Sequence, residues 1–216
     1  MNQKILFEIK KFEEKNKKRN RAKALPVGIL FTDRKKILDI KNTIKSLPKN
    51  SAIIIREYDL DKKNREIFAL EISKLARAQG LKILVGKDIA LAKKIKADGV
   101  HFSDFDKLPL QFLQKKNFHK KFIFSFSCHN FKSVLKAQKI KSDMIFISPI
   151  FPTTSHLNTK NIGTQNLAKI SLKTKSSSYS AINLYALGGI SSANISSVRK
   201  LGLSGFAAIS LFSKTL

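Results

Sequence analysis

One period in the sequence constrains the fold more than any other feature. Short, continuously apolar runs recur along the chain: VGILFT (27–32), SAIIIR (51–56), LKILV (81–85), DGVHF (98–102), KFIFSF (121–126), DMIFIS (143–148), NLYAL (183–187) and GFAAIS (205–210). Amphipathic segments lie between them, near 36–47, 63–79, 88–96, 108–117, 130–140, 164–173 and 192–201. A strand apolar along its whole length is buried on both faces, as in a parallel sheet covered by helices. Eight such units in sequence predict a single α/β domain closed into a (β/α)8 TIM barrel. An open doubly wound sheet is the alternative, and eight units at this spacing suit closure better.

The two ends depart from a plain barrel. Residues 3–19 read as a helix with Ile5, Ile9 and Phe12 on one face. After the eighth run the sequence continues only to Leu216, which leaves no room for an ordinary eighth helix. The expectation is therefore a basic N-terminal helix within 1–24, packed on the barrel where the last helix would lie. The barrel itself takes 25–216, with its eighth helix missing or very short. The Ser/Lys-rich stretch 172–183 reads as a surface loop or a frayed helix end.

Charge admits two readings. There are 42 Lys+Arg against 15 Asp+Glu, a formal net charge of +27. A nucleic-acid binder would use such charge to neutralise phosphates. Here the lysines are spread along the chain, and only residues 10–23 resemble a patch. A compositional lysine bias accounts for that pattern, so nucleic acid is not the expected partner and small anionic metabolites are. No apolar run approaches the ~18 residues of a membrane span, so no membrane partner is expected. The lone cysteine, Cys128, has no internal disulfide partner, and the N-terminus lacks a signal-peptide core; a cytoplasmic location is expected.

In barrels of this kind the working residues sit at the C-terminal ends of the strands. Those ends carry a polar rim. Arg56 can grip a phosphate through its planar fork, or pair with Glu57 or Asp59. Gly188 and Gly189, in ALGGI, can bring backbone N–H groups close to an anion beside Ser210, or simply make a tight turn. Asp104 and Asp106 can offer hard oxygens to Mg²⁺, or form an exposed acidic turn. His101 reads as a packed histidine at the barrel top. In SFSCHN (125–130), Cys128 and His129 are neighbours on a strand and point to opposite faces, so they do not easily make a nucleophile–base pair. Ser127 and His129 share a face, His129 is a candidate general acid/base, and Asn130 is a helix N-cap. The segment SPIFPTTSHLNTKNIG (148–163) crowds hydroxyls and cations into one long loop after a buried strand.

These motifs together resemble the thiamine phosphate synthase/TenI family. The matching pieces are TDR (32–34), IIIRE (53–57), ADGVHFSDFD (97–106), SFSCHN (125–130), SDMIFISPIFPTTSH (142–156), LGGI (187–190) and GFAAIS (205–210). The resemblance implies a TIM barrel. It implies coupling of a pyrimidine methyl diphosphate to a thiazole phosphate, with release of diphosphate and with Mg²⁺ as cofactor. It assigns catalysis to His129, Arg56 and Ser127. It assigns substrate and phosphate binding to Arg56, Thr153, Ser155, His156, Gly188, Gly189 and Ser210, and metal binding to Asp106 and Asp88.

The sequence departs from the family pattern at one end of the site. The strand-two motif Gln-x-Arg-x-Lys appears as Ile54, Arg56 and Tyr58. Gly86 and Lys87 stand where the family has an Asn-Asp pair, with Asp88 one position on. His156 replaces the lysine of the lid. An ammonium at ~4 Å from a unit charge interacts by roughly 4 kcal/mol at an effective dielectric of 20, and Lys87 would repel a divalent ion about twice as strongly. On that ground the sequence favours handling of thiazole phosphate with loss of diphosphate chemistry. Three functions follow: a divergent synthase, a TenI-like tautomerase moving a proton through His129, or a non-catalytic phosphate-ligand-binding regulator of the pathway.

Overall fold

The computed structural model describes residues 2–17, 25–109, 111, 122–153, 161–175 and 182–213. In chain order, α1 (Gln3–Lys17) precedes β1 (Gly28–Phe31), α2 (Ile40–Lys45), β2 (Ser51–Ile55), α3 (Lys62–Ala78), β3 (Lys82–Gly86), α4 (Ile89–Lys94) and β4 (Gly99–Ser103). The chain continues through β5 (Ile123–Cys128), α5 (Phe131–Lys139), β6 (Met144–Ile147), α6 (Gly163–Lys175), β7 (Leu184–Leu187), α7 (Ile195–Lys200) and β8 (Gly205–Ala208). The strands are parallel and close into a barrel in sequence order. The seam is β1 with β8, where Gly28 lies opposite Phe206. The expected TIM barrel is the fold observed.

The alternation of side chains along each strand divides the core into two layers. Ile29, Phe31, Ala52, Ile54, Leu84, Met144, Phe146, Tyr185 and Ala207 fill the barrel interior. Residues one step out of phase, among them Leu30, Ile53, Ile55, Ile83, Val85, Phe124, Phe126 and Ile145, pack against the surrounding helices. Both faces of the strands are thus largely buried, which is why the sequence shows apolar runs rather than alternation. The Tyr185 hydroxyl, deep in the interior, donates to the Pro26 carbonyl at 2.8 Å.

Helix α1 covers the side of the barrel next to α7. Its apolar face buries Ile5, Ile9 and Phe12, and Phe12 packs on Phe206 of β8 at 5.7 Å between ring centroids. Burying three such side chains contributes several kcal/mol, at about 25 cal/mol per Å² of apolar surface. Glu8 lies on the same face and is 3% exposed. It is accommodated because Arg199 Nε (2.6 Å) and Ser196 Oγ (2.9 Å), both on α7, donate to its two oxygens. Asn16 Nδ2 reaches the Ser204 carbonyl at 2.7 Å and Asn50 Nδ2 donates to Glu13 at 3.0 Å, so α1 is tied to both sides of the β8–β1 seam. After β8 the described residues form a turn in which Ser213 N–H and Oγ–H donate to the Ser210 carbonyl. Most of the segment expected at 108–117, and much of 172–183, lies outside the described residues. No helix among the described residues is long and apolar enough to cross a membrane.

Candidate functional site

The C-terminal mouth of the barrel carries the polar residues, and it has two halves. On the β1–β4 side the chemistry is in side chains. Arg56 follows β2; its Nε donates to the Thr32 carbonyl (3.1 Å), its NH2 pairs with Asp33 (3.3 Å), and its guanidinium lies over the Phe31 ring at 5.6 Å. The partner is Asp33, and neither Glu57 nor Asp59 as the alternative reading had it. Glu57 turns inward instead, buried with its Oε2 2.6 Å from the Thr32 hydroxyl. Burial pushes its carboxyl above the usual range, against the Thr32 hydrogen bond and the Arg56 charge. Residues 32–35 and 56–59 line a cleft of about 280 Å³ at this edge of the mouth.

Beneath that rim, β4 and β5 place polar groups inside the barrel. His101 is buried between Ser125 Oγ (2.9 Å from Nδ1) and Ser127 Oγ (3.2 Å from Nε2), with Phe31 and Phe146 edge-on to its ring. Ser125 Oγ also reaches the Val100 carbonyl at 3.3 Å. The pattern is satisfied by imidazole protonated on Nδ1, with Ser127 donating to Nε2. Burial, with the Arg56 charge added, pulls His101 down to about 3. His101 is thus the packed histidine expected, and Ser127 is its partner rather than that of His129.

His129 is partnered from elsewhere. Its Nδ1 lies 2.7 Å from Asp104 Oδ1, and its backbone N–H donates to Asp104 Oδ2 at 3.0 Å. Phe105 packs on the imidazole at 4.6 Å between ring centroids. Burial would raise the Asp104 carboxyl, but the hydrogen bonds from His129 outweigh it and hold the acid below its usual range. Asp104 is therefore committed to His129 rather than open to a metal. Cys128 faces the helix layer, where burial pushes its thiol up to about 12, so it is not poised as a nucleophile. Asn130 caps α5 through a reciprocal arrangement with Ser133.

The two carboxylates assigned to Mg²⁺ are also occupied. Asp106 Oδ1 is 2.6 Å from Lys87 Nζ, and its Oδ2 accepts the Ser103 N–H and hydroxyl, each at 2.8 Å. Burial raises the Asp106 carboxyl, and Lys87 and Ser103 more than reverse that. Asp88 is the N-cap of α4: Oδ1 accepts the Leu91 N–H at 2.8 Å and Oδ2 faces Arg65 at 3.5 Å. Mg²⁺ requires oxygens at about 2.1 Å in near-octahedral array. With an ammonium on one carboxylate and a helix end plus a guanidinium on the other, these residues do not fit the ion.

On the β6–β8 side the chemistry is in the backbone. Gly188 and Gly189 have φ of +89° and +66°. A Cβ on Gly188 would lie 2.8 Å from Pro149 Cα, and one on Gly189 would lie 2.5 Å from the Pro152 carbonyl oxygen. The glycines therefore permit both a left-handed turn and close packing against the loop after β6. That loop is tied down by Ile150 N–H to the Leu187 carbonyl (3.0 Å) and Phe151 N–H to the Gly188 carbonyl (3.1 Å). Its base is closed where Ile162 and Gly163 donate to the carbonyls of Pro149 and Ile150, at 2.8 and 3.0 Å. Thr153 is half-buried in this loop, whereas Ser155 and His156 lie outside the described residues. Ser210 is exposed just after β8.

The residue signals that were missed are pairings. Asp104 with His129 and Thr32 with Glu57, each 25 positions apart, and Lys87 with Asp106, 19 apart, join residues from the ends of adjacent strands. Asp88 did carry a readable signal, an aspartate three residues before the apolar Leu91, which marks a helix start.

The comparisons with known proteins agree with this architecture. The family model described as thiamine monophosphate synthase matches residues 30–212. A protein of Aquifex aeolicus (strain VF5), named "Putative thiamine-phosphate synthase 2", is 32% identical over 191 residues, covering 87% of this chain and 98% of its own length. The thiamine-phosphate synthase of Geobacillus kaustophilus (strain HTA426) is 30% identical over 147 residues, covering 68% of this chain and 63% of that protein. The solved structure of thiamine phosphate pyrophosphorylase from Pyrococcus furiosus superposes with a TM-score of 0.71 at 24% identity, over 87% of this chain and 86% of that one. The chain belongs to the thiamine monophosphate synthase family.

Proposed function

We propose that this protein is a thiamine-phosphate synthase-type transferase. It binds a thiazole phosphate and a pyrimidine methyl diphosphate, joins them and releases diphosphate. The reading is carried by the position of Arg56 at the barrel mouth, in a chain whose family match spans residues 30–212. In the reaction, the bond between the pyrimidine methylene carbon and the diphosphate oxygen breaks, and its electron pair leaves with the diphosphate. The methylene cation is then captured by the thiazole nitrogen lone pair, forming the new C–N bond.

A reaction of this kind needs fixed positive charge at the leaving group. Arg56, held by Thr32 and Asp33, supplies it without reorganising. Ser127, at the floor of the site, donates to His101, so what it can offer the substrate is its oxygen lone pairs. Gly188, Gly189 and Ser210 take the thiazole phosphate, and Thr153, Ser155 and His156 contribute to binding the diphosphate. A second reading is favoured by one observation, the 2.7 Å contact of His129 with Asp104. A carboxylate on Nδ1 fixes the tautomer and the orientation of the ring, the geometry a general acid/base needs for proton transfer on the thiazole phosphate.

Both readings are tested by incubating the protein with the two precursors and, separately, with thiazole phosphate alone. Products are followed by chromatography. Formation of thiamine phosphate, reduced about 100-fold by Arg56→Ala, is the expected result. Isomerised thiazole phosphate with no coupled product would replace the transferase by the tautomerase.

A further inference from the structure

The family's motif places a lysine two residues after the strand-two arginine and an acidic metal ligand after strand three. In this chain a lysine stands at the acid's position and no cation remains at the lysine's own. Tyr58 stands at the lysine position and Lys87 at the acid position. The structure shows the consequence. Lys87 Nζ lies 2.6 Å from Asp106 Oδ1 and 4.6 Å from the centroid of the Tyr58 ring. The cation lost from the end of strand two is returned by the neighbouring strand, over the ring that replaced it.

We propose that the Lys87 ammonium, held between Asp106 and Tyr58, occupies the place of the divalent metal, so that this chain engages the diphosphate of its substrate without one. The inference rests on the transferase reading above. Its geometry has three parts. First, Asp106 is only 10% exposed and both its oxygens are used, one by Lys87 and the other by Ser103. A metal would have to displace the ammonium to reach it. Second, Lys87 is held from its backbone upward. Its φ is +62°, and its N–H donates to the His101 carbonyl at 2.8 Å, which fixes the start of the side chain at the mouth. Third, an ammonium has three N–H donors and Asp106 takes one. The Lys87 side chain is 45% exposed, so the others can reach an anion in the mouth. Arg56, across the same rim, provides the second cation.

The test measures binding, so it is separable from coupling activity. Wild-type protein is titrated with inorganic diphosphate by calorimetry in EDTA. Binding is expected, no tighter when Mg²⁺ replaces the EDTA. Lys87→Met should weaken it about tenfold, the loss of one charge-assisted contact. Lys87→Asn serves as a second variant, because asparagine accepts the left-handed backbone readily and preserves the fold. Mn²⁺ alone, followed by its paramagnetic resonance signal, should remain free with wild type and become bound by Lys87→Asp. Diphosphate binding that requires Mg²⁺, or that both Lys87 variants leave unchanged, overturns the inference. So does Mn²⁺ binding by the wild type that Asp106→Asn abolishes, or failure of Lys87→Asp to bind Mn²⁺. A chain that binds diphosphate through Lys87 and yet forms no thiamine phosphate would refute the transferase reading alone.

Discussion

The two halves of the barrel mouth are built by different means. Between β6 and β8 the rim is backbone against backbone: Gly188 and Gly189 against residues 149–152, joined by main-chain hydrogen bonds. Between β1 and β5 it is side chain against side chain: Arg56 with Asp33, Lys87 with Asp106, and His129 with Asp104. The first kind of rim is rigid and indifferent to charge. The second is tunable, because one substitution changes the sign of a position. Glycines that fit against a neighbouring loop have no ready substitute, whereas a lysine such as Lys87 can stand at the rim beside Asp106 and leave the barrel intact.

The largest effect should come from breaking the backbone rim. Gly189→Val would put a Cβ 2.5 Å from the Pro152 carbonyl oxygen at a φ of +66°. Left-handed strain and overpacking together should cost about 3–4 kcal/mol. Urea melts should show that loss equally at neutral and mildly acidic pH, since no titrating group is involved. A loss under about 1 kcal/mol would mean that the loop after β6 gives way, and that this rim is not the rigid half.

The side-chain half should instead be sensitive to acid, beginning with the layer beneath it. His101 is neutral in the fold, with its pKa pulled down to about 3 by burial and by Arg56. A depressed folded value means that the unfolded chain takes up the proton first. The stabilisation is therefore complete above the unfolded value of about 6.5 and falls steadily as the pH drops from there toward 3. Wild type should lose a few kcal/mol over that window in denaturant melts. His101→Gln, which does not titrate, should show a shallower slope. Parallel slopes for the two proteins would show that His101 is not the sensitive group.

The same contrast explains how much of the molecule was legible in the sequence. All eight strands were readable, because burial on both faces writes them as apolar runs. The fifth was expected at 121–126 and lies at Ile123–Cys128. Ser125 and Ser127 look like the polar end of a strand, but inside the barrel they are satisfied by His101. The glycines of the turn after β7 and the caps at Asp88 and Asn130 follow local rules of turn and helix, so local sequence carries them. The ion pairs do not. Whether Asp106 faces a metal or Lys87 depends on the register of β3 against β4, where Gly86 lies opposite His101. No local pattern encodes that register. Lys87 was readable as a departure from the family, and its repulsion of a metal could be argued. That it grips Asp106 itself needed the fold.

The smallest effect, and the finest test of the side-chain half, is Asp104→Asn. Asp104 is 11% exposed and His129 16%, so their 2.7 Å contact is only partly screened. Asparagine keeps the shape, but its single oxygen can accept from only one of the imidazole and the His129 N–H, and the charge is lost. Exchanging a charged hydrogen bond for a neutral one should cost about 1 kcal/mol at neutral pH. The pH dependence gives the cost its signature. The Asp104 carboxyl is held below its ordinary value by His129, against the pull of burial. Its contribution is therefore present above the unfolded value of about 3.8 and disappears as the pH falls through the lower folded value. The stability gap between wild type and Asp104→Asn should be open at neutral pH and close in acid, whereas the Gly189→Val gap should stay open. If the Asp104→Asn gap persists in acid, the contact is one of shape rather than charge, and this edge of the mouth belongs with the backbone-built half.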